Sequence, residues 1–371
     1  MAEAPVFITN DIQAIVNELV QAYSQLTGRT IYPAQVERLI INAMAYREGL
    51  LRQAIQDAAT QNLVAFSRAP VLDYLGELVG VKRIGALPAT CTIRFSMTAN
   101  PSGVTVPEGT RIATIDGRVL FATDDDLNIP AGQLTGDITA TAELEGEAGN
   151  GYTPGQVSTI ADPLLFIATA TNLQTTAGGS EVETDENLRE RIRLAPSSFS
   201  NAGSKGAYIY WAKTANPNII DVAIVSPVPG TVAIYPLMAD GNTTPVQVLN
   251  AVLEACNDEK VRPLTDTVQA IAPTRMTYQM VAKLTLYNAV DQASTEAQVL
   301  ANLQAFTLGK RQRMGQDIVK NQAEKQCLVD GVYDVVLENG TGGAFNTIVV
   351  DPTAFAVCTS IVVQTIGTTA G

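Results

Sequence analysis

Gly178-Gly179-Ser180-Glu181-Val182-Glu183-Thr184-Asp185-Glu186-Asn187-Leu188-Arg189-Glu190-Arg191-Ile192 divides this chain into two kinds of sequence. After the glycine pair, Thr184 or Asp185 offers an N-cap oxygen and a helix is predicted over 186–194. Before it, the pattern is that of strands. Cys91, Ile93, Phe95 and Met97 alternate with Thr92, Arg94 and Ser96, the period of a half-buried strand. Pro101, Gly103, Pro107, Gly109, Gly117, Pro130, Gly132 and Gly136 then break the chain every few residues, with Thr, Val and Ile between them. Short strands with regular turns predict an all-β sandwich or barrel over 89–175. Asp124, Asp125 and Asp126 lack the spacing and the closing Glu of a calcium loop and read as a polar turn.

Further towards the N-terminus, residues 1–80 read as helices. Thr9, Asn10 and Asp11 offer cap oxygens, and Ile12, Ile15, Val16, Leu19, Tyr23 and Leu26 follow at steps of three and four until Gly28. Pro33 sits where a second helix is expected to begin. Its apolar positions, Val36, Ile40, Ala43, Leu50 and Ala54, approach a heptad seam that Arg47 interrupts and that runs towards Phe66. Two readings fit this pattern: a hairpin packed on its own domain, or helices shared in a bundle with neighbouring subunits. A shorter helix is expected over 71–79.

On the C-terminal side, a helix over 207–214 carries Trp211, the one tryptophan of the chain. Strands are expected over 219–225 and 231–237, joined through Pro227-Val228-Pro229-Gly230. A helix over 246–256, with Val246, Leu249, Val252, Leu253 and Cys256 apolar, and a strand over 267–271 complete a small α/β layer. A second such unit follows: a strand over 276–287, a helix over 295–308, a helix over 318–328 capped by Asp317, a strand over 332–337, and an edge strand at 361–363. The fold class is therefore α+β and multidomain. A helical N-terminal segment (1–88) precedes a β-rich domain (89–175) and two small α/β layers with mixed or antiparallel sheets (176–275 and 276–371).

The chain has 371 residues, a formal charge of −13, 46% hydrophobic and 16% charged residues. That excess of apolar over charged residues excludes disorder and fits two readings, a large core or surface left for partner subunits. The negative charge argues against nucleic acid and anionic membranes, whose binding rests on Lys and Arg. The short cluster Lys310, Arg311 and Arg313 reads as a solvated helix end. The N-terminus lacks the basic and apolar regions of a signal peptide, and no segment nears the roughly 20 apolar residues of a membrane span. Cys91, Cys256, Cys327 and Cys358 form no CxxC pair; Cys91 and Cys256 fall on apolar faces as buried thiols. There is no histidine, which excludes His-dependent serine triads and zinc sites built on His. Glu145 with Glu147, and Glu181 with Glu183, lie in glycine-rich stretches with nothing to split their pKa values as a glycosidase requires. Gly203-Ser204-Lys205-Gly206 fails the phosphate-loop pattern and reads as a turn leading into a helix. No catalytic residue, metal or cofactor is expected.

Several stretches, in order, resemble the baseplate J-like family of contractile tails. They are Leu72-Asp73-Tyr74-Leu75-Gly76 with Gly80-Val81-Lys82-Arg83; Val104-Thr105-Val106-Pro107-Glu108-Gly109-Thr110 with Phe121-Ala122-Thr123 and Ile129-Pro130-Ala131-Gly132; and Glu145-Gly146-Glu147-Ala148-Gly149-Asn150. The most specific is the opening stretch, followed by Ala202-Gly203-Ser204, Ala207-Tyr208 and Trp211-Ala212. Pro229-Gly230-Thr231-Val232 and Arg262-Pro263-Leu264-Thr265-Asp266 complete the set. The likeness covers 70–275, and 276–340 more loosely. It implies a structural subunit of the baseplate wedge in the virion tail, assembled in the bacterial host cytoplasm. It further implies two copies per wedge in a sixfold ring. The implied partners are a second wedge protein, a sheath-initiator-like protein and the central hub. The interface residues expected are Ile12, Ile15, Leu19, Tyr23, Val36, Ile40, Ala43 and Leu50, with Glu186, Arg189 and Arg191 as structural ion-pair formers. A tail fibre or tip protein binding host glycans is the competing reading. It is disfavoured by only 6% aromatics and by the lack of repeats.

Overall fold

The computed structural model describes residues 3–99, 102–199, 204–258, 261–263, 265–288 and 290–370. Pro101, Ala202, Gly203 and Leu264, read above as turn or motif positions, lie outside the described residues. The chain divides into two compact units. The first is Met1–Arg83 with Leu188–Arg193; the second is Ile84–Asn187 with Leu194–Gly371.

The first unit holds α1 (Ile12–Thr27), α2 (Val36–Gln61) and α3 (Val71–Glu77). Asp11 caps α1 by accepting from the Gln13 and Ala14 N–H groups, and Gly28, at φ 68°, closes it. Pro33 does not open α2: the helix begins three residues later, with Gln35 at its cap, and ends at Gln61, short of Phe66. The middle turns of α4 (Asp185–Ser198) belong to this unit and order its last segment. Arg189 donates from Nε to Val64 O and from Nη2 to Ser67 O, both at 2.8 Å. Arg191 Nη1 donates to Lys82 O at 3.2 Å. Both arginines thus collect backbone carbonyls of the turns after α2 and α3.

The second unit begins with β1 (Pro88–Met97), whose alternate residues Ala89, Cys91, Ile93, Phe95 and Met97 are buried, as the sequence period requires. With it come β2 (Val104–Val106), β3 (Arg111–Thr114), β4 (Leu120–Thr123), β5 (Leu127–Ile129), β6 (Thr135–Glu145), β7 (Val157–Ile160) and β8 (Ile167–Asn172). Six of them form an antiparallel sheet in the order β7-β3-β4-β6-β1-β8, and β2 pairs with β5. Phe95, Phe121, Ile93 and Ile112 fill the interior, each worth about 1.5–3 kcal/mol of burial. The sheet nearly closes into a barrel at Asn172, whose backbone carbonyl accepts the Gly155 N–H at 3.2 Å. Asn172 of β8 accepts the Val157 N–H of β7 at 3.0 Å, and its Nδ2 donates to Tyr152 O, Thr153 O and Gln174 O at 2.8–3.2 Å.

Thr184 caps α4 by accepting the Asn187 N–H. Ser204 caps α5 (Lys205–Ala215), which precedes β9 (Ile219–Val225), β10 (Thr231–Met238), α6 (Val246–Asn257) and β11 (Thr267–Ala270). This sheet is mixed: β10 runs antiparallel to β9 and parallel to β11. Tyr208, Ala212, Val248, Val252 and Cys256 pack on Ile219, Val222 and Ile234. Val248, with Val252 and Cys256 one turn apart on the same face, enters the core, while the expected Val246 stays exposed.

The last layer contains β12 (Thr274–Tyr287), α7 (Gln292–Arg311), α8 (Lys320–Cys327), β13 (Val332–Glu338) and β14 (Ala354–Thr369). β12 lies between β13, antiparallel, and β14, parallel. Asp317 does not cap α8. Its Oδ1 accepts the Val350 N–H at 2.9 Å, pinning the 346–350 segment, while Val319 precedes the helix without a side-chain cap. The fold is α+β, as the sequence implies.

Burial pushes the Cys91, Cys256 and Cys327 thiols up from 9.0 to about 12. In the native chain at pH 8 none of the three is expected to react with a thiol reagent, and all three become reactive in urea. Unfolded thiols ionise near 9 and folded ones near 12, so their contribution to stability is complete below pH 9 and is lost as pH rises towards 12. Denaturation midpoints across that window check the sign.

Candidate assembly interface

α1 and α2 form an antiparallel hairpin that uses only one side of α2. Ile15, Val16 and Ala45 are its buried centre, flanked by Leu19 and Val20. On α2 the inward positions are Ile41, Ala45 and Gly49, one every four residues. Small residues let the helices approach closely: a Cβ at Gly49 would stand 3.2 Å from Ile12 Cγ1 and 3.3 Å from Asn10 Oδ1. The segment before α1 is strapped onto α2 by Gln56, whose Oε1 accepts the Phe7 N–H at 2.8 Å and whose Nε2 donates to Pro5 O at 2.8 Å. Arg52, paired with Glu48 at 2.6 Å, donates to Thr9 O at 3.2 Å. A Gly49→Val substitution is expected to push α1 away and cost about 1–3 kcal/mol, read as faster amide exchange in α1 with the rest of the chain unchanged.

The opposite side of α2 is apolar and uncovered. Val36, Leu39, Ile40, Met44, Leu50 and Leu51 are 50–68% exposed. Tyr46 and Ile55 extend this face, and Arg47 is its single charge among Val36, Ile40, Ala43, Leu50 and Ala54. At 3.6 residues per turn these positions fall roughly opposite Ile41, Ala45 and Gly49. A helix apolar on both faces is normally buried on both. Covering six such side chains recovers roughly 1–2 kcal/mol each, of the same order as the roughly 4–15 kcal/mol cost of association.

The expected interface residues therefore separate. Ile15 is 2% exposed and packs inside the hairpin, with Leu19 and Tyr23 half-buried beside it. Ile12 remains 45% exposed despite touching the Gly49 position. Val36, Ile40, Ala43 and Leu50 lie on the open face. The narrow heptad template omits Leu39, Met44, Tyr46, Leu51 and Ile55, which widen it. The signal that finds them is the stripe Ile41, Ala45, Gly49, which assigns one side of α2 to the hairpin and frees the other.

Among the described residues, no group of three or more Cys, Asp or Glu is placed to hold a metal ion, and no helix is long and apolar enough to cross a membrane. In the second unit, two of the stretches quoted for the family resemblance, 145–150 and the Gly178-Gly179 pair, meet at one junction with Asn216 and Asn218. Asn150 Nδ2 donates to Gly179 O at 2.8 Å and its Oδ1 accepts the Gly179 N–H at 2.9 Å. Asn218 Nδ2 donates to Glu147 Oε1 at 3.1 Å, and Asn216 Nδ2 to Gly178 O at 3.1 Å. A Cβ on Gly179 would collide with Gly146 O. These polar contacts fasten the barrel to the central layer, and the glycines serve close backbone approach.

Four domain profiles of one family match the chain in sequence. They are the baseplate J-like N-terminal domain over 37–90, the barrel domain over 92–179, the central domain over 200–272 and the C-terminal domain over 278–364. The chain belongs to the baseplate J-like family. Baseplate protein J of Escherichia phage P2 is 32% identical over 187 residues, half of this chain and 60% of that protein. Baseplate protein gp47 of Escherichia phage Mu is 28% identical over 134 residues, 36% of each. Uncharacterized protein YqbT of Bacillus subtilis (strain 168) is 27% identical over 187 residues, half of this chain and 45% of that protein. The chain thus aligns with less than two thirds of each of these relatives. Among solved structures, a chain of the cryo-EM structure of the anti-feeding prophage baseplate, 6-fold symmetrised, aligns over 93% of this chain and 90% of its own length, at 12% identity and a TM-score of 0.38.

Proposed function

We propose that this chain is a structural wedge subunit of a contractile-tail baseplate and performs no catalysis. Two copies join a second wedge protein, six such wedges ring the central hub, and a sheath-initiator-like protein docks nearby. The chain is assembled in the host cytoplasm and resides in the virion tail. The observation that carries this reading is the open apolar face of α2. It is built on a helix already packed on its other side, so a helical bundle with neighbouring subunits is the arrangement that buries it. Ile12, Val36, Ile40, Ala43 and Leu50 meet the neighbours, while Ile15, Leu19 and Tyr23 hold the hairpin that presents them. The four-part division 1–88, 89–175, 176–275 and 276–371 belongs to this reading. A bundle segment leads, and three rigid layers follow as ring-forming bodies.

Native mass spectrometry of the chain co-expressed with its neighbouring tail proteins tests it. A complex with two copies of this chain and one of a second wedge protein is the expected result. A chain that remains alone with every tail neighbour contradicts it.

A further inference from the structure

β14 is an edge strand of uncommon composition. From Ala354 to Thr369 it carries no charge and no proline, the residues that ordinarily blunt an open edge. β12 covers one edge along its length, and no strand pairs with the other among the described residues. The Thr365 N–H points to that open edge, where Glu296 Oε1 of α7 accepts it at 2.8 Å. Backbone groups alternate along a strand, so the N–H and C=O of Ile361 and Val363 face the same way. Beside them, Gln304, Thr307, Leu308 and Arg311 of α7 and residues 358–361 wall a groove of about 280 Å³.

The groove has a basic end. Lys310, Arg311 and Arg313 close α7 and its following turn, and none is held in an ion pair among the described residues. Arg311 lines the groove. Its Nη2 reaches only Ala239 O, at 3.4 Å, and its Nε is buried without an acceptor. Arg311, a groove-lining cation without an ion pair among the described residues on a chain of charge −13, forms a local site for an acidic group.

We propose that the α7–β14 groove takes an extended acidic peptide segment of a partner protein, which adds to residues 361–365 as a fourth strand and sets a carboxylate against Arg311. Main-chain hydrogen bonds to Ile361 and Val363 supply the affinity, and the carboxylate fixes the register. Glu296, already bound to Thr365, marks where the added strand ends. This surface is separate from the α2 face and stands whether or not that face is an interface.

The test uses the full chain and a labelled peptide of alternating Thr and Val ending in paired Asp, followed by fluorescence anisotropy and amide exchange. The expected result is binding that protects the Ile361 and Val363 amides. Val363→Pro removes one N–H from the open edge and should weaken binding about tenfold or more. Val363→Thr keeps the N–H and should bind as the native chain does, which separates loss of the edge from loss of the fold. Arg311→Gln should weaken the Asp-ended peptide and leave a Lys-ended one unchanged. The proposal is overturned if the Asp-ended peptide does not bind, if Val363→Pro binds it as well as Val363→Thr does, or if the Lys-ended peptide binds equally.

Discussion

Replacing Ile40 and Leu50 together by Lys should leave the free chain as stable as the native one and abolish its incorporation into the baseplate. Both side chains are at least half exposed on α2 and take no part in the hairpin core. Surface substitutions of this kind change stability by about 0.5 kcal/mol or less. In a bundle the same two positions are central and apolar. Each loses a contact worth about 2 kcal/mol at an interface core, and two buried ammonium groups add a desolvation cost, so a loss of roughly a thousandfold or more in affinity follows. Calorimetry of the free variant and co-purification with the tail neighbours read the two halves separately. An unchanged melting temperature with normal co-purification would remove α2 from the interface. A collapsed melting temperature would mean that this face is part of the chain's own core.

The second large effect lies in the barrel. Asn172 is 1% exposed and makes four hydrogen bonds, one of them across the seam between the two end strands of the six-stranded order. Asn172→Ala leaves the Val157 N–H and the Gln174 carbonyl without the partner they have now, at about 1–3 kcal/mol for each group, while Tyr152 O and Thr153 O keep the Thr176 and Gln156 N–H groups. A destabilisation of about 3–5 kcal/mol is expected, with urea unfolding as the measurement. Asn172→Asp keeps the acceptor and loses the amide donors, so it should fall between the native chain and the Ala variant. A loss below about 1 kcal/mol for Ala would mean that the β7–β8 seam is held by something other than this side chain.

Where one face of an element is buried and the other wet, the sequence alone located it. β1 follows from Cys91, Ile93, Phe95 and Met97, and α4 from Thr184 and the periodicity after it. Elements fixed by tertiary contacts were harder to read. Nothing local marks Asp317 as the acceptor for Val350, thirty-three residues away, when its spacing also suits a helix cap. The sequence marks only 361–363 of β14, which is sixteen residues long. The strand's start, Ala354-Phe355-Ala356-Val357, is buried without alternation and its end is rich in Thr and Gly, so both lack the half-buried pattern and are ordered by pairing with β12. Pro33 looked like the first residue of a helix but lies in the turn before it, since Gln35 is the cap. The candidate interface was half legible. A seam drawn through Val36, Ile40, Ala43 and Leu50 found the open face, yet the seam of α1 through Ile15 and Leu19 turned inward. One-dimensional spacing shows that a helix has an apolar face but does not say which neighbour covers it.

The central claim is that assembly covers the α2 face. Single cysteines placed at Leu39, Ile40, Leu50 and Ile55 in the full chain, with Cys358 replaced by Ser, report this directly through their labelling rates in the free chain and in assembled particles. Rapid labelling of all four in the free chain and strong protection in the particle is the expected result. Equal labelling in both states would leave the face open in the finished machine and contradict the account.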